Sequence, residues 1–272
     1  MSTEPDAWRD GPRAKRHSGT VRPPHRRGFG ATAALVAAIF GGIGLVVSLT
    51  GLAINLLPRH FNATQQRQIT AWEVAKRWRT LPAGDIFPAT VGYDLSASAL
   101  DDLTPVPLQA ARVGIAPQTS CAAGTDAPAA RILDQHSCQA LLRATYTDES
   151  ATYVVTVGVA VLGSSAQATA AANAIDAAAG SPQPGVDAAG FTGTPAGSFG
   201  HGQRQMTHSQ AAGPYVIMYA AGYADGRPRV SIGEDSYAQG EMDAAAQGVA
   251  GAVARTMGAP PPAPHCPGTS GC

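Results

Sequence analysis

Only two lysines occur in the chain, Lys15 and Lys76, and neither stands three residues after a serine. That excludes the Ser-x-x-Lys arrangement with which many cell-wall enzymes activate a serine for acyl transfer. Charged side chains of all kinds amount to 14%, and from residue 58 onward acids outnumber bases 16 to 12. No face-sized basic patch is therefore expected there to neutralise a row of phosphates, and nucleic acid is excluded as a partner. Cys-x2-Cys pairs are missing, and His136 and His265 lack partners at ligand spacing, so neither a zinc site nor another metal site is expected. His-Glu-x-x-His, a glycine-rich phosphate loop and an EF-hand pattern are missing too, which removes the cofactor classes that announce themselves locally.

What is present is unevenly spread. Of the 272 residues 44% are apolar, which rules out a wholly disordered chain. Residues 1–30 carry seven Arg or Lys against three Asp or Glu, so a basic end of +4 faces a remainder of −4. From Ala31 to Leu57 the chain reads ATAALVAAIFGGIGLVVSLTGLAINLL, 27 residues without one charged side chain. At about 1.5 Å per residue a helix of that length crosses a hydrocarbon core of roughly 30 Å. A cleaved leader is the competing reading, with Gly51-Leu52-Ala53 as its processing signal. The run is about twice as long as such a leader needs, which favours an uncleaved signal anchor. Arg13, Lys15, Arg16, Arg22, Arg26 and Arg27 precede the run, whereas Arg59, Arg67, Lys76 and Arg77 follow it. The bias puts the N-terminus in the cytoplasm and residues 58–272 outside it, a single-pass protein of the cell membrane. Small residues at four-residue spacing, Ala33, Ala37 and Gly41, then Gly44 and Ser48, would let two such helices pack as a homodimer.

All four cysteines, Cys121, Cys138, Cys266 and Cys272, fall on the side placed outside the cytoplasm. Four cysteines permit three pairings, of which proximity favours Cys121 with Cys138 and Cys266 with Cys272. Five stretches follow. Residues 1–30 are a disordered basic tail, 31–57 the transmembrane helix, 58–81 a membrane-proximal amphipathic helix, 82–258 an extracytoplasmic domain, and 259–272 a Pro/Gly-rich tail. In the third stretch Asn62 is a plausible N-cap, and Ile69, Trp72, Ala75 and Trp78 repeat at three- and four-residue spacing. The preferred expectation is a core-facing stripe; the second is an anchor of both tryptophans at the lipid headgroups. Residues 81–95, with Pro82, Gly84 and Pro88, are expected to be extended chain leading into the domain.

The strongest strand signal is in 140–162, where Tyr153, Val155, Val157, Val159 and Val161 share a face and Asp148-Glu149-Ser150 breaks a hairpin. Ser164 with Gln167 opens an alanine-rich helix whose packing side is Ala168, Ala171, Ala172 and Ile175, stopped by Gly180 and Pro182. The order then recurs. Strands are expected around 203–209 and 214–224, the second with Tyr215, Ile217, Tyr219, Ala221 and Tyr223 on one face. A helix over 237–257 follows, capped by Ser236 with Gln239 and packing through Met242, Ala245, Val249 and Val253. Hairpin–helix followed by hairpin–helix implies an α+β fold: an antiparallel sheet with helices packed on one face.

Chemistry-bearing residues are scattered. Ser198 lies in Ala-Gly-Ser-Phe-Gly, out of step with a nucleophile elbow. Cys138 near His136 is a local thiol–imidazole pair, and a structural disulfide is the better reading. His201 and His208 flank the start of a strand and read as solvated. Asp101-Asp102, Asp148-Glu149 and Glu234-Asp235 are neighbours whose side chains point apart on a strand, which does not suit paired acid–base work. A cleft lined by Tyr215, Tyr219 and Tyr223 is the first binding surface to look for, weighed against a tyrosine face that is simply core. No catalytic, cofactor-binding or metal residue is assigned.

Arginine outnumbers lysine 17 to 2 and alanine makes up about a fifth of the chain, the mark of a high-GC genome. The runs WRTLPAGDIFPATVGYDL and SCQALLRATYTDESATYVVTVGVAVL resemble a family of uncharacterised single-pass membrane proteins of actinobacteria, over roughly residues 70–180. The resemblance implies an exported, membrane-tethered domain and carries no activity with it. In layout the chain is also similar to the extracytoplasmic sensor parts of actinobacterial kinases, without a kinase domain before the span. The expected function is a non-catalytic binding or accessory protein of the bacterial envelope, with the lipid bilayer and an envelope protein or lipid as partners. The alternatives are an extracytoplasmic hydrolase or other enzyme whose residues meet only on folding, and a single-pass membrane scaffold or sensor.

Overall fold

The computed structural model describes residues 62–95, 107–180, 183–230 and 236–260. The expected tail, the run 31–57, and Cys266 with Cys272 lie outside them. Among the described residues no helix is long and apolar enough to cross a membrane.

Helix α1 (Ala63–Thr80) starts where the sequence says it should. Asn62 Oδ1 accepts from Gln65 N at 2.8 Å, and Gln65 Oε1 accepts from Asn62 N at 3.0 Å, a reciprocal cap. One turn of helix, α2 (Ala83–Ile86), leads into strand β1 (Thr90–Asp94), which pairs with β2 (Pro107–Ile115). Residues 81–95 are thus not only extended approach chain: they hold a helical turn and an edge strand. Helix α3 (Ala127–Gln135) follows, an element the sequence reading did not contain, capped by Asp126, whose carboxylate accepts from Ala129 N. Then come the hairpin β3 (Ala140–Asp148) and β4 (Tyr153–Val161), helix α4 (Ser165–Ala177), the hairpin β5 (Arg204–Ala212) and β6 (Tyr215–Tyr223), and helix α5 (Ser236–Gly258). The Asp148 carboxylate closes the β3–β4 turn, accepting from Ser150 N at 3.2 Å and Tyr153 N at 2.6 Å.

The fold is α+β, a six-stranded antiparallel sheet in the order β1-β2-β3-β4-β6-β5 that curls around α5. Helices cover both faces, however, and not one. Every residue of β4 and β6 is buried, as both-sided apolar runs require. Odd-numbered Val155, Val157, Val159, Ile217, Tyr219 and Ala221 pack beneath α5 with Met242, Val249 and Val253. Even-numbered Ala160, Val216, Met218 and Ala220 meet Ala168, Ala171, Ala172 and Ile175 of α4 instead. The reason is the strand order: α4 must cross β6 to deliver the chain to edge strand β5, so α5, leaving β6, takes the opposite face.

Close approach sets both layers. A Cβ at Gly248 of α5 would strike the side chain of Tyr93 on β1, so glycine lets the helix lie against the curled edge. On the other face a Cβ at Gly158 of β4 would stand 2.9 Å from Val186 Cγ2. Val186 belongs to the long segment 183–203, which covers that face beside α3 and α4. The disulfide Cys121–Cys138, the pairing that proximity favoured, ties the turn before α3 to the residues just ahead of β3 and so closes the loop that holds α3.

A groove beneath the first helix

Helix α1 turns a face of small residues toward one end of the sheet. Across from Ala63, Ala71 and Ala75 lie the β4–α4 junction (Gly163, Ser164, Ser165), the β5–β6 turn (Gly213, Pro214), and the end of α5 (Gly258, Pro260). Apart from Gln66, Arg67 and Val74 the lining is of small residues and prolines, so the walls do not interdigitate, and a groove of about 940 Å³ stays open between them. Gly213 takes φ +61°, a turn conformation that suits glycine. A Cβ there would also come within 3.2 Å of Val74 Cγ1.

The groove is closed at one end by a clamp. Val74 is the single buried residue of α1, and its carbonyl accepts a hydrogen bond of 2.5 Å from the Tyr215 hydroxyl. Arg77 Nη1 donates to Thr256 O at 2.6 Å, tying α1 to the last turn of α5. Burial pushes the Tyr215 phenol up, against the smaller opposing effect of the nearby backbone and Arg77. Toward the helix start nothing comparable exists among the described residues, and Ala63 to Ile69 are all exposed. Arg67 is the one charged residue lining the groove, with Gln66, Thr70, Ser164 and Ser165 as its polar rim. The walls are otherwise aliphatic and short, which suits an apolar ligand with at most one anionic or polar end.

A second polar assembly sits under segment 183–203. Arg204, 1% exposed, donates from Nη1 and Nη2 to Asp126 Oδ2, 3.1 Å each, and from Nη1 to Val186 O at 3.0 Å. Asp126 Oδ2 also accepts from Gly185 N at 2.9 Å. Beside it Arg143 Nη1 donates to Asp187 O at 3.1 Å, and burial lowers the pKa of that guanidinium despite Asp187 nearby. Thr145 Oγ1 and Thr156 Oγ1 lie 2.8 Å apart; the first donates to Ala189 O and the second accepts from Ala189 N. These contacts peg the segment to the sheet. His201 Nδ1 meets Asp187 Oδ1 at 2.8 Å, but both ring nitrogens lie within 3.3 Å of Arg204 Nη2. The ring is exposed, as the sequence reading of a solvated histidine expects, and its partners are Asp187 and Arg204 rather than a nucleophile.

The residues weighed from sequence do not converge. His208 pairs with Asp176 at 3.1 Å on the exposed sheet edge, apart from His201. Cys138 is held in the disulfide and carries no free thiol. Ser198 is exposed in a loop. Glu149 is exposed in the β3–β4 turn whose end Asp148 caps, while Asp101-Asp102, Glu234-Asp235 and His265 are outside the described residues. Among those described, no group of three His, Cys, Asp or Glu is placed to hold a metal. Tyr215, Tyr219 and Tyr223 line no cleft: they are core beneath α5, where the Tyr219 hydroxyl donates to Asp243 and that of Tyr153 to Glu241.

The expected stripe on α1 is rotated. Ile69 (37% exposed) and Trp72 (59% exposed) face solvent, and the helix packs through Thr70, Val74, Arg77 and Trp78. Spacing alone allowed either face, and the two hydrogen bonds of the clamp select this one. Neither the groove nor the Asp126–Arg204 pair was visible in sequence: the groove is built from turn-type glycines and alanines, and the pair spans 78 residues. Comparison with protein-family models, with curated proteins and with solved structures finds no match to the chain.

Proposed function

We propose that the chain is a membrane-anchored, extracytoplasmic binding protein of the bacterial cell envelope, with its N-terminus in the cytoplasm and no catalytic step of its own. It takes an apolar envelope ligand, an acyl chain or a comparable hydrocarbon, into the groove beneath α1. The observation that carries this reading is the groove itself. Its volume of about 940 Å³ lies at the upper end of the roughly 300–1,000 Å³ usual for small-molecule sites. Its walls are short and aliphatic, and a single cation, Arg67, stands at its edge. The position supports it further, because α1 begins six residues after the uncharged run 31–57 ends, beside a source of lipid.

The test is photolabelling of the full chain, in native membranes and in detergent, with a fatty acid carrying a diazirine on its tail. Labels are expected on peptides covering 63–75 and 258–260, and Ala71→Trp, which fills the groove, is expected to remove them without unfolding the domain. Labelling confined to 31–57, or unchanged by Ala71→Trp, would overturn the groove as a binding site.

A further inference from the structure

The outer side of α1 carries a separate message. At 100° per residue, Gln65, Gln68, Ile69, Trp72, Lys76 and Arg79 fall on the side away from the groove and the Val74 clamp, and all six are exposed. Ile69 and Trp72 are the large hydrophobic residues left to solvent among those described. Lys76 Nζ stands 3.3 Å from the centre of the Trp72 ring, so the cation and the indole form one amphipathic unit. The stripe has two cations and no carboxylate; Glu73 lies on its flank. This composition, an indole and an aliphatic side chain framed by basic groups and neutral amides, is that of a helix lying in the interface of a bilayer.

The place of the helix in the chain names the occupant. Five residues, 58–62, separate Leu57 from Ala63; fully extended they reach about 18 Å. If 31–57 spans the membrane, α1 cannot leave the neighbourhood of the headgroups, and of its two long faces one is already turned to the domain. We infer that the Ile69–Trp72–Lys76–Arg79 face of α1 docks on the surface of an anionic phospholipid bilayer, so that the groove on the opposite face is held at a fixed height above the lipid. The inference rests on the anchored topology proposed above but not on groove occupancy, since docking uses the other side of the helix. Lysine and arginine near an anionic surface each favour the docked state about fivefold, so binding should depend on lipid charge as well as on Trp72.

The experiment uses the full chain with Trp8→Phe, reconstituted into bilayers of phosphatidylcholine with or without phosphatidylglycerol, in which some acyl chains are brominated. The same chain carrying Trp72→Phe supplies the contribution of Trp78 for subtraction. Trp72 emission is expected to be blue-shifted and quenched by brominated lipid in the anionic bilayers. Quenching should weaken in phosphatidylcholine alone and in Lys76→Glu, with the circular dichroism spectrum unchanged. A chain that resists alkaline extraction while Trp72 stays unquenched would overturn the docking and leave the anchor standing. Trp72 shielded from both brominated lipid and soluble acrylamide would assign the face to a protein and overturn the lipid. A chain released by alkali would refute the anchor; co-flotation of the released chain with anionic vesicles, lost in Trp72→Ser, would then uphold docking, and no co-flotation would overturn it.

Discussion

Asp126→Ala should be among the most damaging single substitutions in the domain, although its side chain belongs to neither the groove nor the sheet. The carboxylate does three things at once: it caps α3 at Ala129 N, accepts from Gly185 N, and neutralises Arg204, which is 1% exposed. Breaking a buried ion pair from one side costs about 3–5 kcal/mol, because the remaining charge stays desolvated. Loss of the cap costs about 1 kcal/mol, and an unsatisfied Gly185 N–H about 1–3 kcal/mol. These overlap, so we expect about 4–6 kcal/mol, a large part of the roughly 5–15 kcal/mol typical of a whole domain. Arg204→Met should cost less, since the carboxylate keeps its two backbone donors. The double variant Asp126→Ala with Arg204→Met should recover about 2 kcal/mol or more relative to the sum of the singles. Urea titrations of the full chain, followed by circular dichroism, read all four corners of the cycle. A loss under about 1 kcal/mol in Asp126→Ala, or a coupling near zero, would refute the claim that this pair holds segment 183–203 on the sheet.

Alkaline pH should unfold the domain through its tyrosines. Burial raises Tyr93 to about 12 and raises Tyr146, Tyr153, Tyr215 and Tyr219 as well. Their contribution to stability is whole below the unfolded phenol pKa near 10 and is lost as pH rises toward the folded values; absorbance at 295 nm should therefore show these phenols ionising in one cooperative step with the loss of circular dichroism, and independent titration near pH 10 would contradict it. Removing the disulfide by Cys121→Ala with Cys138→Ala opens a loop with a sequence separation of 17 and should cost about 3 kcal/mol, read as a lower urea midpoint; no change would mean that the unfolded chain is already restricted there. Gly248→Ala places a methyl against Tyr93 and should destabilise by about 1–3 kcal/mol through overpacking, whereas Gly202→Ala, with open space around its Cβ, should stay within about 0.5 kcal/mol; equal effects would refute the close approach of α5 to β1.

Local signals in the sequence found the parts that local chemistry determines. The β3–β4 hairpin was legible because valines repeat every second residue and Asp148 marks the turn. The caps at Asn62 and Ser164 were legible because a side-chain oxygen three residues before its donor is a purely local fit. Helix α3 escaped notice because nine residues with Pro128 in the first turn give too short a period. Strands β1 and β2 escaped because edge strands beside glycine and proline alternate weakly: in β2 the burial pattern holds a single fully buried residue, Ala110. The faces taken by α4 and α5 depend on strand order, which no window of sequence contains. The Asp126–Arg204 pair shows the same limit in charge: an arginine opening a strand looks like any surface arginine until a carboxylate 78 residues away is folded against it.

The clamp at Val74 and Arg77 gives α1 the mechanics of a cantilever. Its fixed end is bonded to Tyr215 and to the last turn of α5, while its free end, starting at Ala63, is the one that continues back toward residue 57. Tension on the chain from that side therefore acts at the tip of a lever roughly 16 Å long from Ala63 to Val74, over the groove. Pulling changes the gap between helix and sheet before it loads any strand, and a molecule filling that gap stiffens the lever against the pull.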